Sequence, residues 1–298
     1  MKIGFIGFGE AAFNISLGLY GEGVRGICAH DTRQDDAIMG RLVRNRAKQA
    51  HVQLAASSGD VAKWADLLFV AVPSTAAFHV CEEVKAYLRK GKLYVDVTAS
   101  TPALKEKIWK EIRNTGVYFV NAAMLGSLPK LKQQVPITAS GNGASLFKDI
   151  MTPYHMDITL AGADPGAASA IKLIRSVFMK GVASLMIEML EGAQSYGVAD
   201  DVIASLSKSW DGTSFESHLN RLVTGTGVHC KRRADELDGS IQMLKDAGLK
   251  PIMTTGAKSA HEALESYDFA TKFIEKAPTQ WQQIVDPLLR KKEPVVEL

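Results

Sequence analysis

The chain has 298 residues, of which 46% are hydrophobic and 22% charged, and its formal net charge is +3. That balance excludes an intrinsically disordered chain and a nucleic-acid-binding surface, and the length accommodates about two domains with substantial cores. The three cysteines, Cys28, Cys81 and Cys230, are scattered without metal spacing, which predicts reduced thiols in a cytoplasmic protein.

The sequence begins directly with a short apolar strand rather than a signal peptide, and no apolar run reaches the ~18 residues of a membrane span. The strand runs into Gly7-Phe8-Gly9-Glu10-Ala11-Ala12, a G-x-G-x-x-G/A turn. Gly7 permits the tight bend, Gly9 removes the side chain that would hold phosphates away, and Ala12 lets the next helix pack closely. A helix over 11–20 then points its positive end at a bound anion. A second apolar stretch, 24–30, leads to Asp31, close to the ~20-residue spacing at which an acid meets the adenosine ribose. Together these features predict a dinucleotide cradle.

The α/β alternation continues with a strand at 65–73, a helix at 74–89, a strand at 91–98 and a helix at 101–114. Further strands are expected at 117–124 and 135–141. Helices between buried apolar strands predict a mostly parallel, doubly wound sheet. From about 165 the pattern becomes all-helical. Ile171, Ile174, Phe178, Val182, Leu185 and Met189 form one stripe on a long helix over 166–196. More helices are expected near 199–209, 214–222, 231–246 and 255–266, followed by a charged, fraying tail at 289–294. The fold class is therefore α/β, with a Rossmann-type domain over 1–164 and an all-α domain over 165–298.

Hydride transfer on such a scaffold requires a proton acceptor, and Lys172 is the candidate. It lies one turn into a helix whose preceding residues, Gly166-Ala167-Ala168-Ser169-Ala170, are small enough for close approach and desolvation. Lys172, Ser176 and Lys180 share an arc of ~80°. Taken alone, these positions also read as solvated lysines on an amphipathic helix.

At this point the chain resembles the β-hydroxyacid dehydrogenase superfamily, which includes 3-hydroxyisobutyrate and 6-phosphogluconate dehydrogenases. The resemblance rests on the glycine turn, Val72-Pro73-Ser74, Asp96-Val97-Thr98-Ala99-Ser100-Thr101, the 121–127 stretch and the helix bearing Lys172. It implies that Lys172 is the general acid/base, that Ala71, Val72, Pro73 and Ser74 line the nicotinamide pocket, and that Thr98 and Ser100 lie near the ring. The family's D-A-P-V-S-G-G stretch reads Asn121-Ala122-Ala123-Met124-Leu125-Gly126-Ser127 here. Leu125 thus stands where a serine would hold the substrate carboxylate. Arg175 and Ser176 replace two asparagines that usually follow the lysine. Met124, Leu125, Gly126, Arg175, Ser176 and Lys180 are the expected substrate contacts. Arg175 or Lys180 would meet an anion, with structural ion pairing the alternative for each.

Asp31 favours NAD, whereas Arg33 beside Thr32 suits the extra phosphate of NADP, and the balance tilts to NAD. Lys245-Asp246 resembles a family pair placed over the cofactor and reads equally as a solvated helix end. His30 reads as a capping or packing residue, with a place beside the adenosine pocket the alternative, and His229, after the glycine-rich 224–228 stretch read as a loop, could reach a substrate but reads as non-catalytic. No metal-ligand spacing and no Gly-x-Ser-x-Gly occurs, so neither metal catalysis nor a serine hydrolase is expected. The expected function is NAD(P)-dependent oxidation or reduction of a small anionic 3-hydroxy acid by a homodimer. Imine reduction and a non-catalytic NAD(P)-binding module are the alternatives.

Overall fold

The computed structural model describes residues 1–290. Of the expected charged tail only Leu289 and Arg290 are included, closing the last helix, and the rest lies outside the described residues. The first half of the chain contains β1 (Ile3–Ile6), α1 (Glu10–Gly21), β2 (Ile27–His30), α2 (Met39–Gln49), β3 (Gln53–Leu54), α3 (Ser58–Trp64), β4 (Leu67–Val70) and α4 (Ser74–Val84). There follow β5 (Leu93–Asp96), α5 (Pro102–Ile112), β6 (Tyr118–Met124), α6 (Leu128–Leu131), β7 (Ile137–Ser140), α7 (Ala144–Met151) and β8 (Ile158–Leu160). The remainder is helical: α8 (Ala167–Ser195), α9 (Ala199–Trp210), α10 (Phe215–Val228), α11 (Cys230–Asp246), α12 (Ile252–Glu265), α13 (Phe269–Lys272) and α14 (Gln282–Arg290). The expected class, a Rossmann-type doubly wound sheet followed by helices, is the class observed.

The strands form one sheet in the order β3-β2-β1-β4-β5-β6-β7-β8. Only the β6–β7 pairing is antiparallel. β1, β4 and β5 are buried at every position, because helices cover both faces. Side-chain alternation sends Phe5 and Phe69 to one face, where their rings stack at 4.8 Å and Phe69 meets Phe147 edge-on at 5.9 Å. Ile6, Val70, Tyr94 and Phe119 build the core of the other face. After β3 the chain crosses back to place β4 beside β1, so the glycine turn sits at the topological switch point, where open α/β sheets bind ligands.

The chain forms two compact units, Met1–Val177 and Phe178–Leu298, and the division falls within α8. Among the described residues, no helix is long and apolar enough to cross a membrane. The three cysteines are free and buried.

The structure departs from the sequence reading in two places. The segment 31–65 carries α2, β3 and α3, none of which the apolar pattern announced. The glycine-rich stretch read as a loop is the last turn of α10, and His229 follows that helix directly. Gly227 belongs there because a Cβ would lie 2.5 Å from Ile284 of α14, so close packing, not chain reversal, selects the glycine. The expected α8 stripe lies largely at the surface of the single chain. Ile171, Ile174, Phe178 and Leu185 are exposed, and Val182 and Met189 are half-buried.

Candidate active site

One row of strand residues organises the site. Registers align His30, Ile6, Val70, Asp96, Asn121 and Ser140 across six strands. The expected cofactor residues follow immediately: Asp31 after β2, Gly7 after β1, Ala71 after β4, and Thr98 two residues beyond β5.

Gly7 has φ +81°, and a Cβ there would sit 2.5 Å from the Ala71 carbonyl oxygen. Only glycine fits both the left-handed backbone and that close approach. A Cβ at Gly9 would meet nothing within 4 Å, which leaves open space in front of the α1 amides. Asp31 braces this turn: Phe8 N donates to Oδ2 at 2.7 Å and Arg33 N to Oδ1 at 2.8 Å. Each carboxylate oxygen keeps a lone pair for a further donor.

Gly7, Phe8, Gly9, Asp31, Thr32, Arg33, Ala71, Val72 and Pro73 line a cleft of about 480 Å³. His30, Arg46 and His79 also line it. Arg46 escaped sequence reading because α2 did. Its signal was the pairing of Val43 and Ala47, one turn apart and both buried, in an otherwise charged segment. Glu10, Ala11, Ala12 and Ser74 are outside this lining. Ala12 is fully buried beneath α1, while Glu10 and Ser74 open α1 and α4 and are exposed.

Beyond β5 lies a buried polar knot. Lys105 of α5 and Asp96 have no exposure and form an ion pair at 2.8 Å. Asp96 Oδ1 accepts from Thr98 N at 2.9 Å and from Thr98 Oγ1 at 2.6 Å. Lys105 Nζ donates to the Thr98 carbonyl at 2.9 Å and to Thr98 Oγ1 at 3.0 Å. Ser100 Oγ is 3.4 Å from Thr98 Oγ1. Burial pushes the Lys105 ammonium down, Asp96 opposes that shift, and the charge of Lys172 adds to it. Lys105 was missed, although it shares a helix face with the buried Ile108 and Ile112, an anomalous place for a lysine.

The start of α8 is docked on the same edge. Asn121 Nδ2 donates to the Pro165 carbonyl at 2.9 Å and to Ser169 Oγ at 3.0 Å, and Ala168 N donates to Ser140 Oγ at 3.1 Å. One turn beyond Ala168, Lys172 is half-buried, and burial holds it below the ordinary lysine range. Met124 and Leu125 are half-buried and Gly126 exposed, just past β6, whose end projects three residues beyond Asn121. Ser176 is half-buried and Arg175 exposed. Lys180 is exposed too and belongs to the second compact unit. Lys245 and Asp246 close α11 in that second unit and are exposed. Among the described residues no cluster of three or more His, Cys, Asp or Glu could hold a metal.

The family model for NADP oxidoreductase, coenzyme F420-dependent, matches residues 2–100, and a domain of unknown function, DUF1932, matches 193–264. The chain is 28% identical over 267 residues to an uncharacterized 28.5 kDa protein of Methanothermus fervidus, covering 89% of this chain and 99% of that one. It is 23% identical over 272 residues to mitochondrial 3-hydroxyisobutyrate dehydrogenase of Rattus norvegicus, covering 86% and 77%. The imine reductase of Aspergillus terreus, solved with NADPH4 and dibenz[c,e]azepine, shares the fold at a TM-score of 0.75. Its identity is 15%, with 96% of this chain and 98% of that chain covered.

Proposed function

The chain belongs to the β-hydroxyacid dehydrogenase superfamily and is an NAD(P)-dependent oxidoreductase, and from that premise we propose that it oxidises a small 3-hydroxy acid with Lys172 as general base. The observation that carries this reading is the docking of α8 by Asn121 and Ser140. It places a partly desolvated lysine at the same sheet edge as the glycine turn.

The residues present fit a dinucleotide. The open space at Gly9 and the α1 amides would hold the pyrophosphate, and Asp31 would meet the adenosine ribose. NAD is favoured on Asp31, with Arg33 and Arg46 on the cleft wall as the counterweight. When bound, the nicotinamide supplies the hydride acceptor. Lys172 Nζ, in its neutral form, takes the substrate hydroxyl proton as the carbinol carbon becomes a carbonyl. In the reverse direction its ammonium returns that proton. Val72 and Pro73, on the wall of the cleft, would lie against the nicotinamide.

The domain over 1–164 serves the cofactor, and that over 165–298 serves substrate and self-association. Arg175 and Lys180 are exposed and free of ion pairs among the described residues, which suits them to a substrate anion. The free buried thiols accord with a cytoplasmic setting. A turnover screen with NAD and NADP over 3-hydroxy acids of varied size, with a cyclic imine alongside, tests the reading. Turnover of a 3-hydroxy acid supports it, whereas turnover of the imine alone would replace it with imine reduction.

A further inference from the structure

A helix packed on a sheet calls for an apolar side chain at position 105, and this chain puts a lysine there. Lys105 and Asp96 are both fully buried. Such a pair is generally no more stabilising than apolar residues of similar volume, so fold stability does not explain it. Its local effect is to fix one hydroxyl. A carboxylate only accepts, so Thr98 must donate its single proton to Asp96 Oδ1 at 2.6 Å. Lys105 Nζ occupies one lone pair of the same oxygen at 3.0 Å and holds the Thr98 carbonyl at 2.9 Å. Ser100 Oγ, 3.4 Å away, can then approach Thr98 Oγ1 only as a donor. Both hydroxyl protons are thereby turned inward. That leaves Thr98 Oγ1 with no free lone pair, whereas Ser100, 8% exposed at the sheet edge, keeps both of its own. Such an edge takes an N–H donor and repels a carboxylate or phosphate.

We infer that Lys105, through Asp96 and Thr98, is a positioning residue that sets Ser100 to accept from the carboxamide N–H of the nicotinamide, excluding the substrate anion from this edge. The inference rests on the hydride-transfer reading above, in which the ring lies within reach of Lys172. Lys172 lies one turn beyond Ala168, whose N–H is held by Ser140 in the same row of strand residues as Asp96. Because Ser100 takes the ring amide, the anion contact falls to residues elsewhere in the site.

The test compares dissociation constants, read by fluorescence titration, for NADH and NADPH and for their 3-acetylpyridine counterparts, which lack the amide N–H. The wild type is expected to prefer the carboxamide form about fivefold, the value of roughly one hydrogen bond. Lys105→Met alone strands a buried carboxylate and is expected to destabilise the chain. The double variant Lys105→Met/Asp96→Asn removes both charges with little change of shape, and its amide at position 96 donates as well as accepts. In that variant and in Ser100→Ala the preference should fall below about twofold. The ratio of two constants on one protein cancels any general loss of fold. A preference that persists undiminished in the double variant overturns the inference alone, as does a wild type that binds both forms equally. A wild type that binds no dinucleotide overturns the cofactor reading as well.

Discussion

Lys172 and Lys105 are both pushed below the ordinary lysine range by burial, yet only Lys105 has an acid to oppose the shift. Lys105 therefore keeps a partnered charge, and Lys172 is the lysine free to exchange a proton. The sign of the pH dependence follows. Lys172 acts as a base when neutral, and burial favours the neutral form, so kcat/KM for hydroxy-acid oxidation should rise with pH to a midpoint below the ordinary 10.5. Carbonyl reduction needs the protonated form and should fall as pH rises through the same midpoint. A profile of both directions checks this, and an oxidation rate that falls with rising pH would contradict it. At this scale the sequence was partly legible. Lys172 stood out by its small neighbours, whereas its exposure could not be read, since half-burial depends on Asn121 and Ser140 holding the helix start. Lys105 went unread because its partner is nine residues away, across a strand-to-helix turn.

Among the elements, the turn between β1 and α1 separates structural from functional glycine. Gly7→Ala should cost about 2 kcal/mol, since the residue needs a positive φ and its Cβ would press on the Ala71 carbonyl. Gly9→Val should unfold with the wild type, because φ there is −76° and no protein atom lies within 4 Å of a Cβ. That variant should nevertheless lose dinucleotide affinity by about tenfold or more, since its side chain fills the phosphate space. Thermal melts with NADH titrations distinguish the two, and a Gly9→Val protein that binds normally would count against the cradle. The strands with continuous apolar runs and the long helix α8 were legible, because burial on both faces writes itself into composition. The edge strand β3 is two residues long, and α2 is mostly charged with only Val43 and Ala47 marking its inner face, so neither gave a usable period. α10 was cut short because Gly225 and Gly227 signal a turn locally and serve packing globally.

For the whole molecule, α8 exposes Ile174, Val177, Met179, Met186 and Ile187, each with more than half of its surface accessible in the single chain. Water seldom meets so continuous an apolar face on a stable monomer. We propose that a second copy covers it, as a homodimer, and sedimentation at micromolar concentration should show that species. Ile174→Asp/Val177→Asp should convert it to monomer, and a monomeric wild type would contradict the proposal. Sequence periodicity showed the stripe but not whether the chain itself would cover it, since that depends on where every other helix packs. The glycine turn, the docked start of α8 and the likeness to hydroxyacid dehydrogenases support one proposed chemistry, and Lys172 is where it is most exposed to disproof. In Lys172→Met, NADH or NADPH affinity should remain within about twofold of wild type while kcat for a 3-hydroxy acid falls by roughly a thousandfold. Turnover at the wild-type rate with intact dinucleotide binding would remove Lys172 from the reaction.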